Sequence, residues 1–347
     1  MKRVEERSWT ARARAGALAL LGSALVASVN CGGGGRVTAR PTDSGGMNMS
    51  MDGAEGADAD RGTDAAAFVD AGLSADAAAL VAARPYTIHV PPGYVSTRPT
   101  SLLVMLHGYS AAGQLEESSL FHLTAASDTY GFLYALPDGT VDRLGNRFWN
   151  ATDACCDFYG SHVDDVAYLN AVIDDIASKY NVDLKQVFVG GHSNGAMMAQ
   201  VFACRNANRI AAVFSYAGAI WAQASMCAPN DVVSVVELHG EMDPTVPYDG
   251  GSNAAYPQSP PYPSASATVE TWATRDGCTA PLADDGEAFD LVPSLPGNET
   301  TVAKAGGCPR GIDAELWTLH GGVHTDTLSA AAFGPAVWGF LHGHPKP

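Results

Sequence analysis

Along residues 84–347 the apolar positions fall into short continuous runs separated by segments of helical period. Residues 101–106 read SLLVML, an unbroken apolar run of the kind buried on both faces of a parallel sheet. Residues 86–90, 132–136, 186–189, 210–216, 232–238 and 314–319 read as further strands. Between them, Val166, Leu169, Val172, Ile173 and Ile176 repeat at helical spacing and predict a helix over 163–180. Residues 195–204 and 333–341 read as two more helices. Strand and helix in alternation predict an α/β fold, with a mostly parallel central sheet and helices on both faces. No internal repeat and no second boundary interrupts 84–347, so one domain is expected there. The Pro-rich segment 256–264 reads as a long loop over its active face.

The pattern is different before residue 84. Lys2, Arg3, Arg7, Arg12 and Arg14 precede an apolar run over 15–29, too short for a comfortable membrane span and suited to a secretory signal over 1–30. The run ends in SVNCGGGG, which resembles the cleavage region of bacterial lipoproteins. In that group Cys31 would be lipidated and become the mature N-terminus, although Asn30 stands where Gly, Ala or Ser is usual. Cleavage near Ala27 with free secretion is the alternative. Export is expected either way, to the exterior or to an outer-membrane lipid anchor. Residues 31–83 have few large apolar groups to offset the entropy of ordering, and are expected to form a disordered acidic, Gly- and Ala-rich tether. Its methionines Met47, Met49 and Met51 have the softness to hold a metal, but read as linker composition.

The net charge of −17 disfavours nucleic acid, which is not expected as a partner, because phosphates need Lys and Arg to neutralise them. Part of that acidity is local: residues 41–80 hold eight Asp or Glu against Arg61 alone. Export also sets how the seven cysteines are read. With Cys31 set aside, six remain, which in an oxidising compartment suggests three disulfides. Cys278 and Cys308 flank one segment and are expected to pair. Cys155, Cys156, Cys204 and Cys227 allow three connectivities. Two staple the Cys155-Cys156 doublet to Cys204 and Cys227, and these are the expectation; the third joins the doublet to itself. No second matching Cys pair or His pair stands at zinc-ligand spacing, so no metal and no cofactor is expected.

Candidate chemistry lies in VFVGGHSNGAMM. Gly191-His192-Ser193-Asn194-Gly195 is a G-x-S-x-G element preceded by an apolar strand and followed by a small-residue helix start, the context of a nucleophilic serine on a sharp strand-to-helix turn. A serine hydroxyl needs a base to take its proton and a carboxylate to orient that base. Asp243 follows the 232–238 strand and is the expected acid, ahead of Asp249 and Glu241. His324 lies in the glycine-loosened loop after the 314–319 strand and is preferred to His320, which ends that strand, and to His342 and His344 near the terminus. An oxyanion needs preformed donors; the backbone N–H groups of Asn194 and Tyr109 are expected to supply them, with Ser110 second. His107 reads as a brace of that loop. Asp164-Asp165 and Asp174-Asp175 point apart on a helix and do not form a glycosidase pair. Among aromatic residues expected near the active face (Phe148, Trp149, Phe158, Trp221, Tyr248, Tyr256 and Tyr262), Trp149, Trp221 and Tyr248 are taken as substrate contacts.

The segments PPGY, MLHGYSAAG, LPDGT, FWNATDACCDF, VDDVAYL, VFVGGHSNGAMM, HGEMDPTVPYDGG and GGVH occur in the order found in the polyhydroxybutyrate depolymerase-like esterases, relatives of the feruloyl and acetylxylan esterases, and 84–347 resembles that family. The resemblance implies an α/β-hydrolase fold and carboxylic-ester hydrolysis by Ser193, Asp243 and His324. Ala196 and Val323 depart from the family pattern without removing a catalytic group. The partner it implies is an ester of plant polysaccharide or, alternatively, a polyester. The chain is expected to be a monomer that meets the membrane only through an N-terminal lipid. A surface-tethered binding protein on a hydrolase scaffold is the alternative outside enzymology.

Overall fold

The computed structural model describes residues 73–253 and 256–347. The signal segment, Cys31, Met47, Met49, Met51 and the tether through residue 72 lie outside the described residues. The last part of the expected tether is helical: α1 (Ala75–Ala83) starts at Ser74, whose side chain accepts the Ala77 N–H. An alanine-rich stretch with a serine cap has high intrinsic helix propensity even where it buries little. Val81 nevertheless packs against the domain core.

The remaining elements follow the alternation expected. They are β1 (Thr87–His89), β2 (Thr100–Leu106), the short α2 (Gly113–Glu116) continued by a π-helical turn over Glu117–Phe121, α3 (Thr124–Tyr130), β3 (Leu133–Leu136), and the small hairpin β4 (Thr140–Val141) and β5 (Arg147–Phe148). Next come α4 (Asp165–Lys179), β6 (Val182–His192), α5 (Asn194–Arg205), β7 (Ala212–Tyr216) and β8 (Ser234–Gly240). Then α6 (Ala265–Asp276), β9 (Ala280–Phe289) and β10 (Thr300–Gly306), which like α2, α3, β4 and β5 were not anticipated, precede β11 (Ala314–Leu319) and α7 (Ala330–Gly343).

The large sheet has the order β1-β3-β2-β6-β7-β8-β11-β10-β9. Its six central strands, β3 to β11 in that order, are parallel, and the antiparallel β1 on one side and β10 and β9 on the other close the edges. Side chains alternate across a strand, so Leu102, Val104 and Leu106 of β2 enter the core under α4 and α5. Leu103 and Met105 enter the opposite core under α3 and α7. This double burial explains why β2 reads as an unbroken apolar run. The Asp pairs of α4 are structural: Asp164 caps the helix, Asp165 binds Arg84 and the Asn150 N–H, Asp174 binds Arg209, and Asp175 binds Tyr86 and Lys179.

Cys278 pairs with Cys308 as expected, but the doublet does not staple to the core. Cys155 is joined to Cys156, and Cys204 to Cys227. The reason is the length of α5. Cys155 and Cys156 pack with Met197 near the start of that helix, whereas Cys204 lies seven residues further along, roughly 10 Å away at 1.5 Å per residue. Cys227 sits beside that far end, 5.6 Å from Cys204 between Cα atoms. The Cys204–Cys227 bridge thus fastens the end of α5 to the segment entering β8. Replacing both by serine is expected to cost about 3 kcal/mol in the chain-entropy account. The measurement is a urea titration, in which the midpoint falls and the slope rises, because the unbridged unfolded chain is less compact.

Candidate active site

β6 runs directly into Gly191-His192-Ser193, and α5 begins at Asn194. Ser193 adopts φ 55° and ψ −121°, a conformation that L-residues rarely hold and that turns its side chain out of the strand-to-helix corner. The turn closes so tightly that a Cβ on Gly195 would meet the Leu106 carbonyl, and one on Gly191 the Gly195 backbone. Both flanking positions therefore require glycine.

The structure brings the three expected side chains into one chain of hydrogen bonds. Ser193 Oγ is 2.9 Å from His324 Nε2, and His324 Nδ1 is 2.7 Å from Asp243 Oδ2. Asp243 lies just past β8, where its Oδ1 accepts the N–H groups of Thr245 (2.7 Å) and Val246 (2.9 Å). His324 lies in the loop after β11, and its carbonyl accepts a hydrogen bond from His192 Nε2 at 2.9 Å. His192 in turn faces Glu116 Oε1 at 3.1 Å. The alternatives lie elsewhere: His320 pairs with Glu241 at the surface, Asp249 is exposed, and His344 binds Asp313.

Burial lowers the His324 ring from its ordinary value; Asp243 works against that, while His192 and His239 add to it. Burial acts to raise the Asp243 carboxyl. Hydrogen bonds from His239, His324 and the Val246 N–H outweigh it and hold the carboxyl well below the usual carboxylate range. The pair is therefore an ionised acid beside a neutral base at neutral pH.

The loop after β2 lies against the serine, since a Cβ on Gly108 would stand 3.4 Å from Ser193 Cβ. Ser110 N–H is committed to the Arg147 carbonyl at 2.8 Å, which leaves Tyr109 N–H as the donor to consider from that loop. Asn194, the first residue of α5, has no helical partner for its own N–H. Burial lowers His107, whose Nδ1 faces the Gly108 carbonyl and whose Nε2 accepts the Gly139 N–H; it braces the loop.

The expected aromatic contacts are placed differently. Trp149 is fully buried; its indole donates to the His107 carbonyl, and its backbone N–H and carbonyl clamp the Asn194 amide at 2.7 and 3.0 Å. It fixes Asn194 from behind and has no face to offer a substrate. Trp221 is also buried, in the cluster that holds Cys204 and Cys227. Tyr248 is half-buried, with its hydroxyl 2.7 Å from Thr318 Oγ1. The aromatic surface beside the loop after β2 comes instead from Tyr109, Phe158 and Tyr256. Phe158 stacks on Tyr256 at 3.4 Å and meets Tyr109 edge-on at 5.4 Å. Beneath them lie Met197, Ala219, Val246 and the Cys155–Cys156 disulfide.

Two buried carboxylate–imidazole pairs behind the site, Glu116–His192 and Glu237–His239, were not anticipated. The second had a signal. Glu237 and His239 interrupt an apolar strand two residues apart, and so share one face of it.

Residues 84–261 match the family described as Esterase PHB depolymerase. The chain is 30% identical over 269 residues to "Putative esterase NocK" of Nocardia uniformis subsp. tsuyamanensis, a match spanning 74% of each chain. It is 28% identical over 270 residues to Feruloyl esterase B of Piromyces equi, covering 76% of this chain and 46% of that protein. Among solved structures, the acetyl xylan esterase from Aspergillus awamori superposes with a TM-score of 0.54 at 19% identity. That match covers 74% of this chain and 93% of the other, a likeness of fold.

Proposed function

The chain belongs to the esterase PHB depolymerase family and is a carboxylic ester hydrolase of the α/β-hydrolase fold, and on that premise we propose that it works through an acyl-enzyme on Ser193. The proposal is carried by the unbroken hydrogen-bond chain from Ser193 through His324 to Asp243. His324 Nε2 takes the hydroxyl proton as Ser193 Oγ attacks the ester carbonyl, and Asp243 steadies the imidazolium that forms. The backbone N–H groups of Asn194 and Tyr109 receive the oxyanion. Collapse expels the alcohol with the proton held on His324. A water then deacylates the serine by the same route in reverse.

The substrates proposed are feruloyl- and acetyl-type esters of plant polysaccharide or their fragments. Feruloyl esterase B among the relatives supports this, as does the half-buried Tyr109–Phe158–Tyr256 cluster, which offers an aryl acyl group ring edges and faces. The matching family's own description favours polyester or hydroxybutyrate oligomers as the second reading. We also propose an exported enzyme, lipidated at Cys31; three disulfides suit an oxidising compartment.

A substrate panel tests the choice. Methyl ferulate and acetylated xylan fragments are expected to be hydrolysed with higher kcat/KM than hydroxybutyrate oligomers, and Phe158→Ala to raise KM for the ferulate selectively. The reverse order would make the protein a polyester hydrolase. A fluorophosphonate adduct mapped by mass to any residue other than Ser193 would remove the acyl-enzyme assignment.

A further inference from the structure

Glu237 and His239 are buried completely on β8, two positions apart and on one face. Their protonation follows from their neighbours. The Trp272 indole N–H, which can only donate, points at Gln200 Oε1 at 3.0 Å and so fixes the orientation of that amide. Gln200 Nε2 then donates to Glu237 Oε2 at 3.2 Å, while the Gly218 N–H donates to Oε1 at 2.9 Å. Burial raises the Glu237 carboxyl from its ordinary value, and His239, Ser215 and the Gly218 N–H work against that; donors on both oxygens are the arrangement that suits a carboxylate. His239 Nδ1 faces Glu237 Oε1 at 3.1 Å, and Nε2 faces the Val246 carbonyl at 2.8 Å. An acceptor on each side calls for a hydrogen on each ring nitrogen.

We propose that His239 is a buried imidazolium and a positioning residue for ester hydrolysis, one that fixes the turn aiming Asp243 and adds a positive charge to the burial that holds His324 unprotonated. This rests on the reading of Ser193, His324 and Asp243 given above. Val246 joins the two functions: its N–H binds Asp243 Oδ1 and its carbonyl binds His239 Nε2. The same Nε2–H lies 3.5 Å from Asp243 Oδ2, the oxygen that faces His324. Burial acts to lower the His239 ring, but the bonds to Asp243 and Glu237 outweigh it and push the ring up to about 9.

The titratable groups facing this pair are Glu237, Asp243 and Tyr248, whose ring stands edge-on to His239 at 5.7 Å. On the far side of His324 stands His192, at 4.8 Å between ring centres, with Glu116 and Tyr216 against it. A cation near His324 disfavours its protonated form and lowers its pKa. Removing that cation raises the pKa, so the neutral base is lost at a higher pH as the solution is acidified.

His239→Gln is therefore expected to move the acidic limb of the kcat/KM profile up by about one pH unit. It should also lower kcat roughly ten- to a hundredfold, with KM little changed, as the Asp243 turn loosens. Glu237→Gln, which weakens the charge on His239 while keeping its shape, is expected to move the limb in the same direction. A fall in kcat with the limb unmoved in both variants would reduce His239 to a packing role. Nitrogen-15 spectra of the histidine-labelled wild-type chain at pH 7.5 read the charge directly and need neither variant to turn over. Both ring nitrogens of a solvent-protected histidine should be protonated, and that signal should change in Glu237→Gln; a neutral ring overturns the proposal. Unimpaired hydrolysis by Ser193→Ala would instead overturn the acyl-enzyme reading, leaving the charge of His239 to stand on the spectrum.

Discussion

Replacing Ser193 by alanine is expected to lower kcat for a chromogenic acyl ester by about five to six orders of magnitude, with thermal stability unchanged or slightly raised. The kinetic loss is large because, in the proposed acyl-enzyme route, the hydroxyl oxygen is the atom that bonds to the acyl carbon. Among the described residues, Ser193 Oγ is the group His324 Nε2 faces. The stability is kept because alanine retains the Cβ, and the backbone bonds of the turn do not involve the hydroxyl: Ser193 N–H donates to the Tyr216 carbonyl, and its own carbonyl accepts from Met197. The strained corner is the same with alanine, so the change is limited to one hydroxyl and its hydrogen bond to His324. Asn194 and Tyr109 remain as donors, so a small residual rate above water is expected. Steady-state kinetics and a melting curve on the same preparation check both halves. Activity within tenfold of the wild type would exclude Ser193 as the nucleophile.

The sequence made legible whatever depends on local pattern. β2, β7, β8 and the second half of β6 were visible because burial on both faces demands apolar runs, and the Ser193 turn was visible because its sterics demand glycine at 191 and 195. β9 was not, for a physical reason: as an edge strand, most of ADDGEAF faces solvent, and no apolar alternation marks it. α6 hid its core anchor, Trp272, among polar and small residues. Trp149 shows a different limit. Its position beside the nucleophile was apparent, but the direction of its ring was not, and the ring turns inward to brace Asn194. The cysteine pairing failed on distance. The doublet sits by the first turn of α5 and Cys204 by its last, a separation that counting residues along the helix would have revealed.

Asp243→Asn is expected to reduce kcat by about four orders of magnitude while leaving KM close to its wild-type value. The effect comes from hydrogen-bond polarity. Asp243 Oδ1 accepts two backbone N–H groups, from Thr245 and Val246, so in the asparagine variant the carbonyl oxygen must occupy that side. The amide NH2 is then left facing His324 Nδ1, where the wild type has an acceptor at 2.7 Å. A donor there requires Nδ1 to be the unprotonated nitrogen, which puts the ring hydrogen on Nε2, toward Ser193 Oγ. An imidazole in that tautomer cannot take the serine proton. Flipping the amide to rescue the tautomer would set its NH2 against two N–H donors, a cost of several unmade hydrogen bonds in a buried site. The substrate pocket is untouched by the exchange, which is why the loss belongs in kcat. The fluorophosphonate should accordingly label Ser193 far more slowly in this variant than in the wild type. A variant that kept kcat within tenfold, or labelled at the wild-type rate, would mean that His324 takes its orientation from another group, and the His192 bond to the His324 carbonyl would be the first to examine.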